Sequence, residues 1–103
     1  MTVIKDNGNV IEFDWDKGNF NKSEKGTGIL YKECESVFLQ KPVILKDFKH
    51  SHIEKRLHCL GKSNNQKLLL ISFTYRGNKI RIISARPASR KERKNYEKIK
   101  KNT

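Results

Sequence analysis

Residues 54 to 58 read Glu-Lys-Arg-Leu-His. Alternate positions carry a carboxylate (Glu54), a guanidinium (Arg56) and an imidazole (His58), the spacing of one face of a β-strand. Further on, Arg81 and Arg86 enclose the run Ile82-Ile83-Ser84-Ala85. A guanidinium grips phosphate through a planar fork of donors. An imidazole titrates near neutral pH, and burial can tune a carboxylate toward it. Such a set suits chemistry at a phosphodiester, with Arg56, Arg81 and Arg86 around the phosphate. Glu54 or His58 would then move the proton, with His50 a second candidate. The same residues also fit an ordinary cross-strand ion pair between Glu54 and an arginine, with His58 in solvent. Residue types and spacing leave both readings open.

The charge distribution points to a polyanionic partner. The 103-residue chain carries a formal charge of +12. Between Arg76 and Lys101 stand eleven lysines or arginines against two acids, Glu92 and Glu97, so +9 lies in the last quarter. A one-sided basic surface attracts nucleic acid first. Arg76, Lys79, Arg90, Arg93 and His50 are the candidate nucleic-acid contacts. Trp15, Tyr31, Phe48 and Tyr75 could stack on bases. The bland alternative is a solvated, lysine-rich helix.

Composition excludes other classes. Apolar residues are 35% and charged residues 33%, as in a single globular domain spanning 1–103. The run Leu68-Leu69-Leu70-Ile71 is too short to cross a bilayer, so no membrane partner is expected. The opening MTVIKDNGNV lacks a signal peptide's apolar core, which predicts a cytoplasmic protein. Cys34 and Cys59 are then expected to be reduced and partly buried. His50, His52, His58 and Cys59 match no standard zinc spacing, so neither a metal nor a cofactor is predicted.

The elements that must position these residues follow from periodicity. Val3–Lys5 and Val10–Phe13 flank Asn7-Gly8, the strongest short hairpin signal. Asp16 caps a short helix to about Glu24. Leu30, Cys34, Val37 and Phe38 recur at helical spacing, and Pro42 ends that helix. Strands follow at 43–46, 53–60, 68–75 and 80–85, with turns at 61–66 and 76–79. Ser89-Arg90-Lys91-Glu92 is a capping box that opens a last helix with only Tyr96 and Ile99 as an apolar stripe. The order predicts an α+β fold, a largely antiparallel sheet with its helices on one side.

Four ordered blocks add a resemblance. FDWDKGN (13–19), ECESVF (33–38), DFKHSHIEKRLHCLGK (47–62) and NKIRIISARPASRKERKNYEK (78–98) resemble the BrnT family, small ribonuclease toxins of type II toxin–antitoxin systems. The similarity spans nearly the whole chain without obvious gaps. Its most specific parts are Glu54-Lys55-Arg56 through Gly61, and Arg81 to Arg86 followed by Arg90 to Tyr96. The resemblance implies a RelE-like fold with two N-terminal helices on one side of the sheet and a C-terminal basic helix. It also implies an endoribonuclease that cuts RNA by attack of its own 2′-hydroxyl, arresting growth. The implied partner is a BrnA-like ribbon-helix-helix antitoxin, so that DNA is met only through that antitoxin.

It favours a phosphate-binding role for the arginines and leaves the choice of acid and base open. The chain departs from the family's usual Asn-x-x-Lys-His-Gly, where Ser23 replaces the Asn and Thr27 the His. This raises an alternative: a non-catalytic or degenerate relative that binds nucleic acid or antitoxin. The basic last helix is expected either to track phosphates or to dock an acidic antitoxin segment.

Overall fold

A computed structural model describes residues 2–6, 9–14, 28–46 and 55–101. Eight elements run in the order β1 (Thr2–Asp6), β2 (Asn9–Phe13), α1 (Tyr31–Leu39), β3 (Val43–Lys46), β4 (Leu57–Lys62), β5 (Leu68–Arg76), β6 (Lys79–Pro87) and α2 (Arg90–Lys101). The expected helix at 16–24 lies outside the described residues. The strands form one six-stranded sheet in the order β1-β2-β6-β5-β4-β3. Every neighbouring pair is antiparallel except β2 and β6, which are parallel. The fold is therefore α+β on a mixed sheet.

The predicted hairpin is present: Asp6 pairs with Asn9 across the Asn7-Gly8 connection, whose own residues lie outside those described. β4 begins at Leu57, which corrects the expected strand 53–60 by leaving Lys55 and Arg56 ahead of it, and runs two residues further than its periodicity suggested, through Gly61 and Lys62. Gly61 is a strand residue here, not the start of a turn. A Cβ built on it would sit 2.9 Å from Pro42 Cβ and 3.2 Å from Val37 Cγ1, so only glycine lets β4 pass this close to the end of α1.

Successive residues of β4, β5 and β6 feed two separate apolar clusters. Leu57, Cys59, Leu69, Ile71, Phe73, Ile80, Ile82 and Ala85 join Phe13 and the α1 residues Cys34, Val37 and Phe38 on one face. Phe38 packs edge-on against both Phe13 and Phe73, with centroids 5.4 and 5.1 Å apart. Leu60, Leu68 and Leu70 point the other way, against Val43, Ala88 and Tyr96 of α2. The two described helices therefore lie on opposite faces, which corrects the expectation that the helices share one side. Coverage from both sides explains the unbroken run at 68–71.

Two details of α1 also differ from its sequence pattern. Leu30 precedes the helix and is 52% exposed, while Ile29 takes the core position beside it. Glu33 and Glu35, outside the apolar stripe of Leu30, Cys34, Val37 and Phe38, are buried as well. Glu33 is satisfied by Ser63, whose hydroxyl donates to Oε2 at 2.7 Å. Ser63 Oγ also accepts from the backbone N–H of Asn65 and Lys67, so one buried pair ties α1 to the β4–β5 turn. Cys34 and Cys59 are free and fully buried. Burial, with Glu33 and Glu35 adding to it, pushes the Cys34 thiol up to about 12.

Candidate functional site

The chemistry-bearing residues of β4, β5 and β6 fall into three cross-strand rows on the α2 side of the sheet. At one end Thr74 pairs with Arg81. In the middle His58, Ser72 and Ser84 stand in line. At the other end Leu60, Leu70 and Arg86 do so. Rows two residues apart along a strand are separated by about 7 Å. Arg81 and Arg86 thus flank the His58 row, about 14 Å apart along the strand direction.

One irregularity creates this arrangement. Arg81 and Arg86 are five positions apart, so an ideal strand would turn them to opposite faces. Ser72 pairs with Ser84 but Phe73 pairs with Ile82, leaving Ile83 as the extra residue of a β-bulge. Ile82 and Ala85 consequently both enter the core, and both arginines face α2.

Each end of the face is braced. Arg81 is mostly buried, its side chain 17% exposed, and Nη1 lies 3.7 Å from Asp14 Oδ2. Asp14 is held there because β2 runs parallel to β6, with its N–H donating to Ile80 O at 2.8 Å. Arg56 is half-buried and sits one residue ahead of β4. The hydroxyl of Thr74 donates to the carbonyl of neighbouring Lys55 at 2.5 Å, pinning that approach to β5. At the far end, Arg86 donates from Nη1 to Glu92 Oε1 at 2.8 Å and from Nη2 to Oε2 at 2.7 Å. This bond from Arg86 holds the Glu92 carboxyl down to about 2.

The predicted capping box is formed. Glu92 N–H donates to Ser89 Oγ at 3.2 Å, and Ser89 N–H donates to Glu92 Oε1 at 2.8 Å. Glu92 therefore serves the helix start and Arg86 together. Of the RNA-contact candidates, Arg76 is exposed where the β5–β6 hairpin turns, and Lys79 pairs with it across that turn. Arg90 and Arg93 are exposed on the first turn of α2. Positive charge thus marks both ends of the face. Glu54 and His50 lie outside the described residues, as do Trp15, Phe48, Ser23 and Thr27.

Sequence reasoning missed Asp14, Ser72, Thr74 and Ser84 as neighbours of the arginines. Period-two alternation would have marked Ser72 and Thr74 as a pair on one face. Asp14 had no such signal, because nothing local announces that β2 joins β6. No three His, Cys, Asp or Glu side chains gather in a metal-binding group among the described residues. No helix among them is long and apolar enough to cross a membrane.

The described site is a polar face of a six-stranded mixed sheet with a guanidinium at each end. A family model described as "Ribonuclease toxin, BrnT, of type II toxin-antitoxin system" matches residues 15–92. The chain belongs to the BrnT family, a family of ribonuclease toxins with an antitoxin partner and an RNA substrate. A search of curated proteins finds no match.

Proposed function

We propose that the α2-side face of the sheet cleaves RNA without a metal ion. Arg56 and Arg81 hold the scissile phosphate and offset the extra negative charge of the phosphorane, while Arg86, expected at the same phosphate but about 14 Å from Arg81 along the strands, holds a neighbouring phosphate of the same RNA. The 2′-hydroxyl attacks the adjacent phosphorus, its proton passes to a base, and the P–O5′ bond breaks as an acid protonates the leaving oxygen. His58 serves as one proton-transfer group and Glu54 as the other, with His50 an alternative. Arg76, Lys79, Arg90 and Arg93 guide the flanking strand. A BrnA-like ribbon-helix-helix antitoxin covers this face and meets DNA with its other part. Unneutralised, the protein arrests growth in the cytoplasm.

The observation that supports this reading is the bulge at Ile83, which turns Arg81 and Arg86 to the face that carries His58. The test is purified protein with RNA in excess chelator. Arg56→Ala and Arg81→Ala should each lower cleavage by about 100-fold while the fold stays intact. Full cleavage by both variants overturns the assignment.

Thr27 and Ser23 favour a second reading, in which the same face binds RNA or antitoxin without cutting. Expressing the chain alone in bacteria separates the two: an active toxin arrests growth, and a binding module does not.

A further inference from the structure

Glu92 is more than a helix cap. An arginine guanidinium carries five N–H donors in a fixed plane. In Arg86, Nη1 gives one hydrogen to Glu92 Oε1 at 2.8 Å and another to the carbonyl of Pro87 at 3.2 Å. Nη2 gives one hydrogen to Glu92 Oε2 at 2.7 Å. These contacts occupy the end of the fork. The Nε–H and the second Nη2 hydrogen remain, parallel and on the same side, and the Arg86 side chain is 48% exposed. That edge is the second of the two bidentate edges of a guanidinium, and it matches two phosphate oxygens.

We infer that Glu92 is a positioning residue: it locks one edge of Arg86 so that the other edge is presented to an RNA phosphate. Glu92 is itself fixed, because its carboxylate accepts from Ser89 N–H and its own N–H donates to Ser89 Oγ. The start of α2 therefore acts as a rigid bracket. Without it, a long side chain on an exposed strand end samples many rotamers, and the phosphate must order it on binding. The inference rests on the reading of this face as an RNA site, but it concerns binding and needs no cleavage.

The sign of the effect makes it testable. Glu92→Gln removes a negative charge from a basic surface, so electrostatics alone would tighten RNA binding. A positioning role predicts the reverse. The experiment uses the full chain and a labelled RNA oligonucleotide carrying 2′-O-methyl groups, which cannot undergo internal attack. Unmodified RNA is used in parallel for kcat and KM. Glu92→Gln should weaken binding of the blocked RNA by about tenfold, the size of one charge-assisted hydrogen bond. KM should rise by a similar factor, with a smaller fall in kcat.

In an Arg86→Ala background the same change should have no further effect. Ser89→Ala, which removes the cap hydroxyl but leaves the Ser89 N–H bond and the ion pair to Glu92, should weaken RNA affinity much less than Glu92→Gln. Tighter binding by Glu92→Gln would mean that the carboxylate competes with phosphate, and overturns the inference. So does an equal loss in the Arg86→Ala background, or no RNA binding by the unaltered chain. Should the binding pattern hold while unmodified RNA stays intact, the nuclease reading falls and the role of Glu92 stands.

Discussion

The α1 and α2 sides of the sheet use alternate residues of the same three strands, yet they are held by different forces. Under α1, three aromatic rings meet edge to face, and Phe13, Cys34, Val37, Cys59 and Ile71 are fully buried. Burial of this kind contributes about 25 cal/mol per Å² and supplies most of the stability of a small domain. Under α2, a helix with no fully buried residue rests Tyr96 on a patch of leucines. It is fastened at one end by Arg86 and Glu92, and at the other by Lys100 donating to the carbonyl of Lys41. The first side is dry and fixed. The second keeps the Arg86 guanidinium close to water, its side chain half exposed. One sheet thereby separates a side held by packing from a side held by charged and polar contacts.

The largest test of that contrast is in the ring cluster. Phe73 is 1% exposed and stacks edge-on against both Phe38 and Tyr75. Phe73→Ala should cost about 3–5 kcal/mol, read from urea denaturation, because the rings around it cannot close the cavity. A loss under about 1 kcal/mol would show that the α1 side is not the mainstay.

Tyr96→Ala is the matching change on the other face. Tyr96 is half-buried against Leu60, Leu68 and Leu70, with the Lys100 ammonium 5.8 Å from its ring centre. Its loss should cost only about 1 kcal/mol by the same measurement. A cost equal to that of Phe73→Ala would erase the distinction between the faces.

How much of this could be read beforehand follows the range of the signals. Local rules worked: Asn7-Gly8 marked the hairpin pairing, and Ser89 with Glu92 marked the helix start. Alternation correctly turned Leu57 and Cys59 away from His58. Non-local facts were hidden. The parallel pairing of β2 with β6 has no sequence signature, so Asp14 beside Arg81 was out of sight. The bulge at Ile83 breaks the period that would have sent Arg86 to the wrong face. Burial of Glu33 depends on Ser63, thirty residues away, which periodicity treats as unrelated. Arg86 was expected beside Arg81 and Arg56, and its partner proved to be the residue expected only to cap the helix.

The smallest expected effect is a pH dependence of the Arg86–Glu92 pair on the α2 side. In the folded chain the Arg86 hydrogen bond lowers the Glu92 pKa from 4.5 to about 2. A carboxyl whose pKa is depressed by folding stabilises the native state fully above its unfolded value and loses that contribution as pH falls toward its folded value. The window therefore runs from about 4.5 down to about 2. Since Arg86 is half exposed, solvent screens the pair, and its contribution stays within about 1 kcal/mol. The clean measurement is the difference in melting temperature between the unaltered chain and Glu92→Gln. That difference should be constant above about pH 5, shrink through the window and level off only below the folded pKa. A difference that persisted unchanged at pH 2 would mean that α2 is held by packing, as α1 is, and not by its charged fastening.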